Sequence, residues 1–351
     1  MKILYGVQGT GNGHITRARI MAKAFAAAGA QVDWIFSGRT INDYFDMEIF
    51  GDCKFYRGMT FATHKGRVQI LKTLFRSNIT QFWHDVKQIN LDNYDFIIND
   101  FEPVTAWAAK LAGKKTIGIS HQNAFFYDIP KASKNPLVDW FIRNFAPVTL
   151  PIGLHWHHFD QPILPPLVER SHSFNQTNPT HYLVYLPFCE LHDILIPLRE
   201  FTEYEFFVYQ SVSQAYDDCH IHIRPFSREG FQQDLHACAG VICSAGFELP
   251  SEAIHLGKKI LVQPVVGQTE QQSNAIALEQ LGYGTATIRL DNATLRKWLC
   301  QQSPIQAHHY PDVAKALVDW LKKGGHDEDI PAMQQQLWKN TLPDTSNLIQ
   351  T

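Results

Sequence analysis

The first forty residues constrain the fold more than any other part of this chain. An apolar segment at residues 3–7 leads through a glycine-rich stretch at residues 9–13 into an alanine-rich segment at residues 15–28, which Gly29 ends. A second apolar segment follows at residues 31–36. A strand, a loop, a helix and a strand of these lengths predict a right-handed crossover between parallel strands. The chain therefore begins as a parallel α/β sheet.

The rest of the first half continues this pattern and then loses it. Strands are predicted at residues 96–98 and 116–119, with a helix at residues 104–112 between them. Five prolines fall between residues 147 and 166, and the periodicity ends there, as in a segment that crosses between domains. We therefore predict an N-terminal domain over residues 1–160.

The second half resumes the alternation of strands and helices. Its predicted strands are residues 182–186, 206–209, 220–223, 241–243 and 260–263. This pattern predicts a second doubly wound domain over residues 161–325, closed by a helix at residues 314–323. Residues 326–351 read as a polar C-terminal tail. With 351 residues and 45% hydrophobic content, the chain is large enough to fill two cores.

Composition and charge exclude several classes of function. The formal net charge of -3 gives no global positive field for nucleic acid, so we expect no nucleic-acid partner. No apolar run approaches the roughly 18 residues that cross a bilayer, and no signal peptide is evident, so we expect a cytoplasmic protein. The six cysteines include no C-x-x-C pair, which predicts neither a disulfide framework nor a zinc site, and we expect no metal and no cofactor.

One segment leaves a membrane association open. Residues 65–76 place apolar residues at helical spacing and carry only basic charges, which suits an anionic membrane surface. The alternative is a core helix with a solvated basic edge. On the first interpretation the protein would lie peripherally at the inner face of the membrane.

Two strand-to-helix turns are the candidate sites, because ligands of parallel sheets bind at the carboxyl ends of the strands. In the first turn, Gly11, Asn12 and Gly13 precede His14 at the start of a helix. Glycines there let the backbone approach a ligand, and the free N–H groups of the helix suit an anion. Because His14 replaces the third glycine of the dinucleotide fingerprint, and no acid follows the second strand, a nicotinamide cofactor is disfavoured.

The second turn follows the strand at residues 241–243. The backbone from Ser244 through Gly246 to Phe247 can receive diphosphate oxygens at a helix N-terminus, and Glu252 can accept the two hydroxyls of a ribose. An amide-rich loop, residues 264–275, contains Gln271 and Gln272. Amides suit a sugar, whose hydroxyls both donate and accept.

These residues together resemble a known family. The spacing S-x-G-x-x-x-x-S-E over residues 244–252, the segment E-Q-Q-x-N-A over residues 270–275 and G-T-G-x-G-H over residues 9–14 are similar to GT-B glycosyltransferases. The likeness is specifically to the peptidoglycan N-acetylglucosaminyltransferase type. The segment His121, Gln122 and Asn123 is similar to that family's H-E-Q-N segment, without its glutamate.

The resemblance implies two Rossmann-like domains that face a central cleft. The C-terminal domain would hold a nucleotide-sugar, with UDP as the expected nucleotide, and the N-terminal domain would hold the acceptor. It implies a cytoplasmic hexosyltransferase of cell-envelope polysaccharide or glycolipid synthesis. The implied donor residues, from nucleobase to diphosphate, ribose and sugar, are Phe226, Ser227, Ser244, Gly246, Phe247, Glu252, Gln271 and Gln272. The implied acceptor and loop residues are Gly11, Asn12, Gly13, His121, Gln122 and Asn123.

The chemistry of sugar transfer adds the catalytic candidates. A helix N-terminus can stabilise the departing diphosphate in place of a metal, and no D-x-D element follows a strand. The acceptor hydroxyl must lose a proton, for which His14, Asp100 and Glu102 are the candidates. We therefore expect inverting, metal-independent transfer to an acceptor that the sequence leaves unidentified; a lipid-linked glycan at the membrane surface is one option.

Two other functions fit the same motifs. A UDP-sugar epimerase shares this fold and binds the same donor, and a non-catalytic nucleotide-sugar-binding protein would bind the donor without turning it over. An epimerase needs no acceptor, so incubation with the nucleotide-sugar alone distinguishes the alternatives.

Overall fold

A computed structural model describes residues 1–59, 63–64, 67–68, 79–133, 135–170, 177–301 and 307–343. The described chain forms two seven-stranded sheets flanked by helices, together with two small two-stranded pairs. The predicted α/β class with two doubly wound domains is confirmed.

The first sheet has the strand order β3-β2-β1-β6-β7-β8-β9, and all its neighbouring strands pair in parallel. Its strands are β1 (Lys2–Gln8), β2 (Gln31–Ser37), β3 (Lys54–Tyr56), β6 (Phe96–Asp100), β7 (Ile117–Ser120), β8 (Leu150–Leu154) and β9 (Ile163–Leu164). The short strands β4 (Thr63–His64) and β5 (Arg67–Val68) pair with each other. Central strands of this sheet are buried on both faces, which explains their continuous apolar sequence.

Among the described residues, four α-helices lie between the strands of this sheet. They are α1 (Asn12–Ala27), α2 (Ile79–Gln88), α3 (Pro103–Leu111) and α4 (Pro136–Phe145). Short 3₁₀ helices occupy Ile41–Asp43, Glu48–Phe50 and Gln122–Phe126. Helix α1 begins within the predicted glycine stretch, and Gly29, with φ of 67°, ends it as predicted.

The second sheet has the order β12-β13-β11-β10-β14-β15-β16, parallel except at β12. Its strands are β10 (His181–Tyr185), β11 (Glu205–Tyr209), β12 (Tyr216–Asp218), β13 (Ile221–Arg224), β14 (Gly240–Cys243), β15 (Lys259–Val262) and β16 (Thr285–Ala286). The helices along this part of the chain are α5 (Leu191–Leu198), α6 (Arg228–Ala237), α7 (Glu248–His255), α8 (Thr269–Gln280), α9 (Asn292–Cys300) and α10 (Val313–Lys322). The pair β17 (His308–His309) and β18 (Leu342–Pro343) and helix α11 (Ile330–Lys339) complete the chain.

The first sheet extends beyond the boundary predicted after residue 160. Strand β9 pairs with β8, so the chain leaves this sheet after Leu164. Helix α11, within the predicted polar tail, returns to the same sheet, and the Trp338 indole donates to the Ile163 carbonyl at 2.7 Å. Neither element has a strong local signal in the sequence. Strand β9 has only two residues, and α11 buries only Ile330 and Leu337.

The basic segment at residues 65–76 is described only at Arg67–Val68, which form strand β5 and not part of a helix as expected. Residues 65–66 and 69–76 lie outside the described residues. Among the helices that the structure describes, none is long and apolar enough to span a bilayer.

A close backbone approach in the first sheet yields a testable prediction. Gly153 of β8 packs against the 3₁₀ helix Gln122–Phe126, and a Cβ there would lie 2.7 Å from Ala124 Cα. We expect Gly153→Ala to lower the free energy of unfolding by about 1–3 kcal/mol, because the backbone must shift. Gly246→Ala is the control, since its Cβ would meet no atom within 4 Å. Equal denaturation midpoints for the two variants would contradict the described packing.

Candidate active site

A cavity of about 840 Å³ lies between the two sheets. Residues that follow the carboxyl ends of strands from both sheets line it, as expected for parallel sheets. The predicted site residues that line it are Gly11, Asn12, Gly13, His14, Gln122, Phe226, Ser227, Ser244, Gly246, Phe247, Glu252 and Gln271. Residues that the sequence placed in different domains thus meet at one cleft.

The first turn places His14 at the start of α1. Asn12 begins this helix directly after Gly11, and His14 lies in its first turn with 13% of its side chain exposed. Gly13 is constrained by the opposite domain, because a Cβ there would lie 2.9 Å from Glu248 Cγ. The glycine loop therefore packs directly against the first residue of α7.

Asp100 holds the imidazole of His14. Nδ1 of His14 lies 2.8 Å from Oδ1 of Asp100, at the end of β6. Asp100 is fully buried and also accepts from Nε and Nη2 of Arg17, at 2.9 Å and 2.8 Å. Burial raises the pKa of the Asp100 carboxyl, but Arg17 and His14 together lower this pKa to below its usual value. Asp100 is therefore ionised at neutral pH.

Two groups contact Nδ1 of His14. It lies 2.8 Å from Oδ1 of Asp100 and 2.8 Å from Nη2 of Arg17, so a neutral imidazole either donates from Nδ1–H to the carboxylate or accepts at Nδ1 from the guanidinium. In the tautomer that donates to Asp100, Nε2 carries no proton, and Nε2 makes no hydrogen bond within the part of the chain that the structure describes. The imidazole can accept a proton from a ligand in the cleft, while Asp100 positions it without lining the cleft itself.

Glu102 has a structural role that the sequence did not separate from catalysis. It is the N-cap of α3, and its side chain accepts from the N–H groups of Val104 and Thr105, both at 2.7 Å. The Ser37 hydroxyl also donates to Oε1 at 2.6 Å, and the Thr105 hydroxyl donates to Oε2. Glu102 is fully buried and does not line the cleft, so the structure offers no path from it to an acceptor.

His121 and Asn123 are also internal. His121 is fully buried, with Nδ1 2.9 Å from the Leu154 carbonyl and Nε2 2.8 Å from Oδ1 of Asn274. Its ring stacks on Phe247 at 4.0 Å between centroids. Asn123 is 3% exposed, and its side chain packs where a Cβ on Gly118 of β7 would lie. Of this predicted acceptor segment, only Gln122 reaches the cleft, because His121 joins the two domains and Asn123 packs on the sheet.

Helix α7 presents free donors at its N-terminus. Its hydrogen bonding begins with the N–H of Ser251 donating to the Phe247 carbonyl. In the described chain, the N–H groups of Phe247, Glu248 and Leu249 have no backbone acceptor. Gly246, predicted to contribute its own N–H, instead donates to the Ser244 carbonyl at 2.8 Å. A Cβ on Gly246 would enter open space, so this glycine leaves room for a ligand.

The other residues predicted to bind the nucleotide-sugar do not all line the cleft. Glu252 lines the cleft and accepts from Nε2 of Gln232 at 2.9 Å; burial raises the pKa of its carboxyl to about 7. Gln271 lines the cleft but uses its Oε1 to accept from the Val265 N–H at 2.9 Å. Gln272 does not line the cleft, since the next position on a helix turns away by about 100°.

Phe226 and Ser227 lie at the cleft wall after β13. Phe226 is 41% exposed and meets the ring of Tyr185 edge-on at 6.0 Å. Ser227 caps α6, with its Oγ accepting from the Gly230 N–H at 3.3 Å. An exposed aromatic ring here can stack on a planar ligand.

Arg17 and Glu248 were not predicted from the sequence. Both are almost completely buried and line the cleft, and Nη1 of Arg17 donates to Oε1 of Glu248, which lies 231 positions further along the chain in the other domain. A weak signal exists in the sequence, because Arg17 lies three residues after His14 on the same face of α1. No local pattern marks Glu248 as its partner.

Aromatic and aliphatic side chains form another part of the cleft wall. They come mainly from α4 and the segments after β6 and β7, and they are Phe101, Phe125, Leu137, Val138, Trp140, Phe141 and Ile142. Leu137 and Trp140 remain 75% and 64% exposed. Phe101 of this wall directly follows Asp100, the residue that contacts His14.

Comparison with known proteins points to sugar transfer. A family model described as Glycosyl transferase family 1 matches residues 1–302. No match was found among curated protein sequences.

Solved glycosyltransferase structures share the fold along the whole chain. The glycotransferase of kitacinnamycin is 12% identical, with a TM-score of 0.62, over 96% of this chain and 99% of that one. The spinosyn rhamnosyltransferase SpnG is 13% identical, with a TM-score of 0.57, over 99% of each chain. SsfS6 from Streptomyces sp. SF2575, complexed with thymidine diphosphate, is 13% identical, with a TM-score of 0.54, over 96% of each chain. These likenesses confirm the predicted GT-B fold, whereas the peptidoglycan type stays a prediction.

The buried contacts of Arg17 with two carboxyl groups predict a large effect on stability. Arg17→Met would leave the Asp100 carboxylate buried without its cation and Glu248 without its hydrogen-bond donor, and we expect the free energy of unfolding to fall by about 3–5 kcal/mol. Lys23→Met, on the same helix, removes a half-exposed partner of Glu169 and should cost less than about 1 kcal/mol. Chemical denaturation of both variants measures the difference. Similar losses in the two would show that Arg17 does not hold the cleft together.

Proposed function

The chain belongs to glycosyl transferase family 1, and from this premise we propose that it transfers a sugar from a nucleoside-diphosphate donor to an acceptor hydroxyl, with inversion and without a metal ion. The observation that carries the proposal is the arrangement of the cleft. The imidazole of His14, held by Asp100, lies on one side, and the free N–H groups of α7 lie on the other.

The donor is proposed to bind against the second domain. Its diphosphate would accept hydrogen bonds from the N–H groups of Phe247, Glu248 and Leu249, where the helix dipole favours negative charge. Glu252, one turn further along α7, would accept from the ribose, and Phe226 would stack on the nucleobase. Two structural neighbours, SsfS6 and VinC, are complexes with thymidine diphosphate, which supports a pyrimidine nucleotide. We propose UDP first, from the sequence resemblance, and thymidine diphosphate as the alternative.

His14 is proposed as the general base. Its unprotonated Nε2 would accept the proton of the acceptor hydroxyl as that oxygen attacks the sugar carbon. Asp100 would stabilise the imidazolium that forms, because it is ionised and bonded to Nδ1. The acceptor would approach from the first domain while the diphosphate departs toward the second, so attack and departure occur on opposite faces. This geometry supports inversion.

Charge on the departing diphosphate would be stabilised by the protein itself. The N-terminus of α7 supplies hydrogen-bond donors, and the guanidinium of Arg17 lines the same cleft. Both are fixed in place before the donor arrives, so they need no reorganisation as the bond breaks. We therefore propose that no divalent ion is required.

The acceptor is proposed to carry an apolar part. The wall formed by Phe101, Trp140 and Phe141 adjoins the general base and would bury such a group, while the hydroxyl reaches His14. A lipid-linked glycan, as in cell-envelope synthesis, meets this requirement.

Donor turnover without acceptor tests the proposal first. The purified protein, incubated with UDP-sugars and dTDP-sugars alone, should slowly release the nucleoside diphosphate as water replaces the acceptor. The rate should be the same in a strong chelator. Interconversion of two nucleotide-sugars without release would instead indicate an epimerase. Loss of turnover in the chelator with rescue by magnesium or manganese would contradict the metal-independent mechanism.

Substitution of His14 tests the general base. His14→Ala should lower turnover by about two to four orders of magnitude while UDP affinity is retained, because the nucleotide binds the other domain. Asp100→Asn should also lower turnover, since it weakens the hold on the reactive tautomer. Glu102→Gln is the comparison, as its carboxyl caps α3 away from the cleft. If only the Glu102 variant loses turnover with its fold intact, the assignment of His14 is wrong.

A further inference from the structure

Glu248 occupies the point where the two domains meet in the cleft. It is the first residue of α7, its side chain is 8% exposed, and it packs against Gly13 of the glycine loop. It lines the cleft beside the free N–H groups of α7. A buried acid at a helix N-terminus proposed to receive an anion requires an explanation.

The two carboxyl oxygens of Glu248 have different surroundings. Oε1 accepts a hydrogen bond from Nη1 of Arg17. Oε2 is fully buried and has no hydrogen-bond partner among the described residues. An unpaired buried polar atom is costly, so a ligand that forms a hydrogen bond with it binds more tightly. Because Glu248 itself lines the cleft, a diphosphate bound at the N–H groups of α7 would lie beside this carboxyl.

A diphosphate beside Glu248 determines the charge state of this carboxyl. Two anions at hydrogen-bond distance repel each other strongly in a water-poor site, and one of them takes up a proton. Protonation of Glu248 removes the repulsion between the two anions and lets the unpaired Oε2 form a hydrogen bond. Its carbonyl oxygen still accepts from Arg17, and its hydroxyl donates to a phosphate oxygen.

We propose that Glu248 is a diphosphate-binding residue that acts in its neutral form, with Oε1 held by Arg17 and Oε2–H donating to a phosphate oxygen. This inference rests on the proposed function and adds to it a residue and a proton. Donor binding then takes up a proton whenever Glu248 is ionised in the free protein.

The groups around Glu248 bring the pKa of its carboxyl close to neutral pH. Burial raises the pKa of Glu248 to about 8, although Arg17 lowers it; Asp100 and Glu252 raise it further. His14 faces the same guanidinium from α1. An arriving diphosphate adds negative charge and raises the pKa again. Affinity for the nucleotide is therefore highest below the pKa of the free protein and falls as the pH rises above it.

Calorimetric titration with UDP and with dTDP tests the inference. For the wild type, the dissociation constant should rise about tenfold between about pH 7 and about pH 9. Above the pKa of the free protein, one coupled proton changes the dissociation constant by at most about tenfold per pH unit. Titration in two buffers of different ionisation enthalpy should show proton uptake near pH 8. Glu248→Gln is neutral and retains an acceptor for Arg17, so it should bind without this pH dependence. Glu229→Gln, an exposed residue of α6, is the matched control and should titrate like the wild type.

The outcomes separate the two levels of the argument. Wild-type protein that binds neither nucleotide overturns the proposed function and this inference with it. Binding with the same pH profile in Glu248→Gln as in the wild type overturns the inference alone. Loss of affinity in folded Glu248→Gln at every pH also overturns it, because the ionised carboxylate would then be the form that binds. Wild-type binding without proton uptake has the same consequence.

Discussion

The buried guanidinium of Arg17 is the contact on which the arrangement of the cleft depends. It binds Asp100 of its own domain and Glu248 of the other, so one cation serves two buried carboxyls. Removing such groups from water is costly unless each is paired and hydrogen-bonded, and removal of one partner leaves the others uncompensated. The same cation thus positions Asp100 against His14 and holds α7 against the glycine loop.

The parallel sheets explain why the two halves of the chemistry face each other. Each sheet places its strand-to-helix turns at one edge, and the two edges border a single cleft. In the proposed reaction, the first domain contributes the proton acceptor and an apolar wall, and the second contributes fixed N–H donors. The sugar would lie with the base on one face and the N–H donors for the diphosphate on the other. Neither domain alone supplies both the proton acceptor and the N–H donors, which fits a reaction at their interface.

Local sequence patterns predicted the elements, whereas long-range contacts decided the roles. The buried parallel strands β1, β10 and β14 read as apolar runs because both faces are covered. The sequence suggested the same catalytic role for Asp100 and Glu102. Phe101 between them has φ of 55°, and Glu102 after this turn is the N-cap of α3. Contacts across the two domains, such as His121 with Phe247, leave no local pattern in the sequence.

A crystal structure with UDP bound tests the central claim most directly, because both glycine-containing turns precede helices and both suit an anion. The account predicts that the phosphates lie within hydrogen-bond distance of the N–H groups of Phe247, Glu248 and Leu249, with the ribose on Glu252. Phosphates bound instead at the start of α1, on Asn12 and Gly13, would contradict it. The donor and acceptor domains would then be exchanged, and His14 would lie beside the leaving group.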